Sequence, residues 1–78
     1  MPTVLREGAY RFFFYSGDRV EPSHVHVAHE NRVAKFWLNP VRVQRSGGMR
    51  QAEIRRILSI IQENHILLLE AWGEYFND

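Results

Sequence analysis

The hydrophobic pattern of this chain changes period near residue 49, and that change constrains the fold more than any other feature. Residues 24–28 alternate as His-Val-His-Val-Ala, which is the period of a half-buried β-strand. Beyond residue 49, apolar side chains recur at intervals of four and three, as they do along one face of an α-helix. This seam consists of Ile54, Leu58, Ile61, His65, Leu68, Trp72 and Tyr75. The sequence therefore predicts an α+β domain with the sheet first and the helix last.

The first 45 residues are expected to form an antiparallel sheet of three to four strands. The aromatic run at residues 10–15 favours a strand, and the Glu7-Gly8 turn pairs it with residues 4–5. Strands are also predicted at residues 24–28 and 33–38, with a short edge strand at 41–43. Ser46-Gly47-Gly48 ends the pattern before the helix.

A long C-terminal amphipathic helix is predicted over residues 49–76, packed on one face of the sheet. Unbroken, it would be roughly 40 Å long, whereas a compact domain of this length is only about 30 Å across. We therefore expect the helix to bend or break near Asn64, because Asn is a good capping residue. A protruding helix would instead need another chain to cover its seam. The whole chain, residues 1–78, is predicted to be one domain, with a sheet half at 1–45 and a helical half at 49–76.

Composition narrows the functional classes. Hydrophobic residues make up 45% of the chain and aromatic residues 13%, which supports a packed core rather than disorder. The absence of cysteine excludes disulfides, thiolate zinc sites and cysteine nucleophiles and suits the reducing cytoplasm. Neither a signal peptide nor an apolar run of membrane-spanning length is present. We expect a cytoplasmic protein that needs no cofactor and contacts no membrane.

Charge is unevenly distributed along the chain. Five arginines lie between residues 42 and 56 beside a single acid, whereas residues 63–78 contain four acids and no Lys or Arg. Basic residues in a first helical turn oppose the helix macrodipole, so Arg50, together with Arg42 and Arg45, is a candidate for binding an anion. That anion would be RNA phosphate or an acidic segment of a partner protein. The alternative is an ordinary solvated surface.

Several motifs together resemble one known family. They are EPSHVHV followed by AKFWLNPVRV, with MPTVL and YRFFFYS before them and ENHILLLEAWGEYF after them. The chain resembles the bacterial domain-of-unknown-function family 4160, although Ser23 stands where that family more often has proline. The family has no assigned activity or catalytic residues. The resemblance implies a small protein encoded beside another short protein, in the manner of toxin–antitoxin pairs, with that protein or a homodimer mate as its partner.

His24 and His26 are the strongest candidates for chemistry. Two positions apart on a strand, they share a face, with α-carbons roughly 6.5 Å apart. They could act as acid and base in a metal-independent ribonuclease, or hold a metal ion with a third ligand. The alternative is that both are hydrogen-bonded, partly solvated surface residues. Among these hypotheses, a metal site is not the one that we predict. The third-ligand candidates are Asp18, Glu21, His29 and His65.

The face that the two histidines share is a candidate binding surface. If Val25 and Val27 point toward the helix, the histidines point away from it. The same alternation places four other side chains on the histidine face: Arg11, Tyr15, Lys35 and Trp37. An aromatic and basic surface can stack unpaired bases and attract phosphate. The alternative is that the chain's own end or a dimer mate covers it. We therefore expect first a protein-partnered regulatory module of toxin–antitoxin type, whose sheet or arginine face engages either RNA or the partner protein. The alternatives are a ribonuclease and, third, a histidine-based metal binder.

Overall fold

The computed structural model describes residues 2–76 as a five-stranded antiparallel sheet followed by two helices. The strands are β1 (Thr3–Glu7), β2 (Tyr10–Phe13), β3 (His24–His29), β4 (Arg32–Leu38) and β5 (Val41–Arg45). A 3₁₀ helix (Ser16–Val20) joins β2 to β3, and the helices are α1 (Gln51–Glu63) and α2 (His65–Phe76). Met1 of the N-terminal motif and Asp78 of the acidic end lie outside the described residues. Within residues 2–76, neither helix has the length and apolar character needed to cross a bilayer.

The predicted α+β class is confirmed, but the predicted number of strands is wrong. The sheet has five strands in the order β1-β2-β3-β4-β5, so each strand pairs with its neighbours in sequence. The two edge strands are both longer than predicted. β5 extends to Arg45, which pairs with Lys35 of β4. Edge strands expose much of their surface, so their ends lack the alternation that identifies a half-buried strand.

The two faces of the sheet differ in chemistry. The helix face packs against α1 and α2 and carries the core side chains Phe12, Phe14, Val25, Val27, Ala34, Phe36 and Leu38, all fully buried. The opposite face is here called the outer face. The strand register places two neighbouring pairs on it, His24 with Trp37 and His26 with Lys35. The predicted alternation along β3 and β4 is therefore confirmed.

The helical segment breaks where the sequence indicated. α1 ends at Glu63, and Asn64 caps it, with its side-chain Nδ2 donating a hydrogen bond to the carbonyl of Ile60 at 2.8 Å. α2 then begins at His65, whose Nε2 donates to the carbonyl oxygen of Leu38 at 2.6 Å. This bond fixes the start of α2 to the end of β4. Both helices can therefore pack within a molecule whose longest dimension is 34 Å.

The turn from β5 to α1 depends on Gly47. Its φ is +63°, and a Cβ atom at this position would lie 1.9 Å from the carbonyl oxygen of Val33. Only glycine allows this approach to β4 without a shift of the backbone. The Ser46-Gly47-Gly48 break in the sequence pattern therefore has a steric cause.

Candidate functional site

The 3₁₀ helix places the Asp18 side chain beside β3. The backbone N–H of Tyr15 donates to Asp18 Oδ2 at 2.8 Å, and the N–H of Asp18 donates to the carbonyl of Tyr15 at 3.1 Å. Such reciprocal bonds are typical of acidic residues in tight turns. The sequence predicted only a turn at Ser16-Gly17-Asp18. The direction of the Asp18 side chain depends on how this turn folds back toward the sheet.

Asp18, His24 and His26 form one group, called the Asp18 cluster below. Oδ1 of Asp18 lies 3.1 Å from Nε2 of His24, and Oδ2 lies 3.0 Å from Nε2 of His26. One ligand atom from each of the three residues lies within 4.8 Å of the others. Of the third-ligand candidates named from sequence, Asp18 contacts both histidines, whereas Glu21 Oε1 lies 3.9 Å from Nδ1 of His24.

His24 is held by its other ring nitrogen. Nδ1 donates to the carbonyl oxygen of Pro22 at 2.9 Å, which directs Nε2 toward Asp18. Nε2 is buried and has no hydrogen-bond partner among residues 2–76, although Asp18 Oδ1 is close, because the two atoms are not aligned for a hydrogen bond. A buried, unpartnered ring nitrogen is costly and needs an explanation.

The cluster perturbs the ionisation of its members. Burial alone would raise the pKa of Asp18, but the Tyr15 N–H and the two imidazoles stabilise the ionised carboxylate, and its pKa is lowered. Burial lowers the pKa of His26, against the opposing effect of the Asp18 charge. Both shifts favour an ionised Asp18 and a neutral His26 near neutral pH.

Both imidazoles are enclosed by other rings. The His26 ring stacks on Phe13 at 5.6 Å and meets Tyr15 at 4.6 Å, while the His24 ring meets Trp72 of α2 at 5.1 Å. His24 is 0% exposed and His26 is 5% exposed. The interpretation of these histidines as partly solvated surface residues is therefore wrong. They do lie on the face away from Val25 and Val27, but the 3₁₀ helix and Trp72 cover them.

The predicted binding residues divide between two parts of the molecule. Those on the outer face or beside it are Arg11, Tyr15, Lys35, Trp37, Arg42 and Arg45. Arg50 is separate, because it is the N-cap residue of α1, which packs on the other face. The sequence analysis also missed Arg6, which pairs with Arg11 across β1 and β2 and so shares the outer face.

The outer-face cations lie against aromatic rings. The Arg11 guanidinium lies 4.3 Å from the centre of the Phe13 ring, and Lys35 Nζ lies 5.1 Å from the centre of the Trp37 ring. Lys35 also forms an ion pair with Glu21. Such cation–π contacts hold long side chains flat on a surface. Phe13 is itself only 1% exposed, so the exposed aromatic surface comes from Tyr15, which is 42% exposed, and from the partly buried Trp37.

A small cavity opens beside Trp37, at the edge of the outer face. Its volume is about 150 Å³, and it is lined by Pro22, Trp37, Asn39, Pro40 and Arg42. Two prolines and an indole give it apolar walls, while the amide and guanidinium groups supply polar ones. This combination suits a small planar group that is both aromatic and polar.

The family model for Domain of unknown function (DUF4160) matches residues 9–73. The chain belongs to this family. The match includes the Asp18 cluster and all the predicted binding residues. It confirms the family resemblance given by the sequence motifs. No curated protein and no solved structure significantly matches the chain.

The other two histidines of this DUF4160 chain lie outside the Asp18 cluster. His29 Nδ1 lies 2.6 Å from Glu53 Oε2 of α1, which also accepts a 3.4 Å hydrogen bond from the Tyr10 hydroxyl. This network connects the sheet to the first turn of α1. From the sequence, His29 was predicted only as a possible metal ligand. Its contact with Glu53 could not be predicted, because the two residues lie far apart in the chain. His65 donates the hydrogen bond to the Leu38 carbonyl that fixes the start of α2.

Proposed function

We propose that this protein binds single-stranded RNA through the outer face of its sheet. One observation carries the proposal: aromatic and cationic side chains share the face of the sheet opposite the core, around the covered Asp18 cluster. Single-stranded nucleic acids are bound by such surfaces, with bases stacking on rings while arginines and lysines contact the backbone.

The charge of the outer face favours a polyanion. Its cations are Arg6, Arg11, Lys35, Arg42 and Arg45. The neighbouring acids, Asp18 and Glu21, are already engaged by the two histidines and by Lys35. Arg42 and Arg45 are exposed and form no ion pair within residues 2–76. They are therefore available to phosphate.

The cavity beside Trp37 suits one unpaired base. The Trp37 ring offers a stacking surface, and Arg42 stands opposite it on the neighbouring strand. The Asn39 side chain contains both a donor and an acceptor for hydrogen bonds. Tyr15 supplies a second exposed ring on the far side of the Asp18 cluster. Two separated rings fit an extended strand better than an isolated nucleotide.

The geometry supports binding more than cleavage by the histidine pair. A general acid or base must come within about 2.6–3.2 Å of the proton it transfers. His24 has no exposed surface, and the 3₁₀ helix lies between the pair and solvent. Acid–base catalysis by His24 and His26 would require that helix to move.

Fluorescence anisotropy with a labelled single-stranded RNA tests the proposal. The double variant Arg42→Ala/Arg45→Ala removes two outer-face charges, and Arg55→Ala/Arg56→Ala removes two exposed charges from α1 as a matched control. We expect the first variant to bind at least about tenfold more weakly and to reduce the salt slope of log K by about 1.4, the value for two contacts to a single strand. Equal effects of the two variants, or no binding by the unaltered protein, would refute the proposal.

A second candidate function is the protein-partnered module of toxin–antitoxin type that the family resemblance implies. Ile66 and Leu67 at the start of α2 favour it, because they are 71% and 46% exposed. Adjacent exposed apolar residues are typical of protein interfaces. Ile66→Glu should abolish co-elution with the product of the adjacent gene, whereas Arg42→Ala/Arg45→Ala should preserve it. Failure of the unaltered protein to co-elute with that product would count against this function.

A further inference from the structure

We propose that Asp18, His24 and His26 bind a divalent transition-metal ion of the zinc class. The proposal is independent of RNA binding, because it concerns the covered centre of the outer face rather than its exposed rim. Imidazole nitrogen and carboxylate oxygen are the ligands by which proteins hold such ions when cysteine is absent.

The state of His24 is the main evidence. Its Nδ1–H bond to the Pro22 carbonyl fixes the ring and its tautomer, as the outer hydrogen bonds of metal-binding histidines do. This leaves the buried Nε2 facing Asp18 Oδ1 at 3.1 Å, with no hydrogen-bond partner of normal geometry among residues 2–76. A buried polar atom that makes no hydrogen bond is costly, and a cation held between Nε2 and the carboxylate would satisfy both groups.

A metal ion requires that the donor atoms converge on a common point, not that they point at one another. The buried, unpartnered nitrogen meets that requirement.

The remaining ligands lie at suitable distances. Metal–ligand bonds of about 2.0–2.2 Å place the donor atoms of a tetrahedral site roughly 3.4 Å apart. Nε2 of His24 and Nε2 of His26 lie 3.1 and 3.0 Å from the two oxygens of Asp18, and one donor atom from each of the three residues lies within 4.8 Å of the others. An ion would replace the proton that His26 Nε2 now shares with Asp18, and small side-chain shifts would complete the site.

The site would join two segments of the chain. Asp18 belongs to the 3₁₀ helix and both histidines belong to β3, so a shared ion would fasten that helix over the sheet. The surrounding rings of Phe13, Tyr15 and Trp72 restrict access by solvent. An enclosed site of this kind stabilises the folded chain, because the unfolded chain does not hold the ligands together.

Titration with Zn²⁺ by calorimetry and with Co²⁺ by visible absorption tests the proposal on chelator-treated protein. We expect one ion per chain with a Kd below about 10 μM, and ligand-field bands from Co²⁺ bound to nitrogen and oxygen. Asp18→Asn and His26→Gln should each weaken binding by at least about tenfold. His29→Gln is the matched control, because it removes another histidine that contacts a carboxylate, and it should leave binding unchanged.

Thermal unfolding gives a second readout of metal binding, because an ion that binds the folded chain raises its Tm. Zn²⁺ should raise the Tm of the unaltered protein and of His29→Gln, but not that of Asp18→Asn or His26→Gln, each first checked for folding by circular dichroism. Three results would overturn the proposal. They are no binding by the unaltered protein tighter than about 100 μM, the same affinity in Asp18→Asn, and loss of binding only in His29→Gln.

Discussion

Trp37 of β4 stands directly across the ladder from Arg42 of β5, at the edge of the sheet. The two side chains line one cavity together with Pro22, Asn39 and Pro40. Cross-strand neighbours share a face at close range, so the indole and the guanidinium can contact the same planar ligand. This pair defines the position at which the proposed RNA surface would take its most specific contact.

Replacing Trp37 with leucine should weaken RNA binding without unfolding the protein. Stacking of one base on an aromatic side chain is worth about 1–3 kcal/mol, which corresponds to a loss of roughly 5- to 150-fold in affinity. Anisotropy with the same RNA measures this loss. Tyr75→Leu is the control, because Tyr75 is an exposed aromatic residue of α2 on the other side of the domain. Equal losses in both variants would contradict the assignment of Trp37.

Replacing Asp18 with alanine should destabilise the fold. The change leaves the buried His26 imidazole without its hydrogen-bond acceptor and removes the acceptor for the Tyr15 N–H. Leaving such buried groups unpaired costs about 1–3 kcal/mol. Urea unfolding monitored by tryptophan fluorescence gives the free energy of unfolding. Glu21→Gln should cost less, since the Glu21 side chain is 45% exposed and forms an ion pair with Lys35 and a longer, 3.9 Å contact with His24. An Asp18→Ala protein as stable as the parent would contradict the packing described.

Much of the fold could be predicted from the sequence because its signals are local. Alternation along residues 24–28 and 33–38 identified which side chains enter the core, and Val25, Val27, Ala34, Phe36 and Leu38 are all buried. Asn64 identified the helix break, because its side chain satisfies a backbone carbonyl at the end of α1. The extent of β5 could not be predicted, since the exposed residues of an edge strand show no such periodicity.

Gly47→Ala should destabilise the protein more than Gly8→Ala. Both glycines have a positive φ, +63° for Gly47 and +58° for Gly8, but a Cβ atom meets nothing within 4 Å at Gly8. The Gly8 substitution therefore costs about 1–2 kcal/mol of backbone strain. The Gly47 substitution adds a clash with the Val33 carbonyl. Urea unfolding of both variants separates the effect of backbone strain from that of the clash. Equal losses in the free energy of unfolding would contradict the close approach of Gly47 to β4.

The contribution of Glu53 to stability should disappear in acid. The hydrogen bond from His29 is the largest cause that holds the pKa of Glu53 below its ordinary value near 4.5, and Arg32 adds to it. A lowered folded-state pKa stabilises the protein at pH values above the unfolded pKa, and this stabilisation is lost as the pH falls through the folded value.

The variant Glu53→Gln tests this dependence. Its free energy of unfolding should be lower than that of the parent protein at pH 7, and the difference should shrink as the pH falls below about 4. Glu70→Gln, an exposed change on α2, controls for the loss of a negative charge. A difference that stays constant between pH 7 and pH 3.5 would show that the charge of Glu53 does not act through His29 and Arg32.

The candidate site was less predictable because it depends on contacts between separate segments. Alternation placed His24 and His26 on the outer face, but the cover over them comes from the turn at residues 16–20 and from Trp72, 48 positions after His24. Asp18 appeared in the sequence only as part of a turn and as one of four third-ligand candidates. Arg50 appeared to belong with Arg42 and Arg45 because the three are close in sequence, yet the chain reverses at Gly47 and places Arg50 at the start of α1.

The most direct test of the outer face as the RNA-binding surface is an NMR titration with a short single-stranded RNA. Shifts of the backbone amides and of the indole N–H groups report where the ligand lies. The account predicts changes concentrated at Arg11, Tyr15, Lys35, Trp37 and Arg42, with the indole of Trp37 among the largest. Changes confined to α1 and α2, or none at RNA concentrations approaching about 1 mM, well above the Kd of ordinary specific complexes, would contradict it.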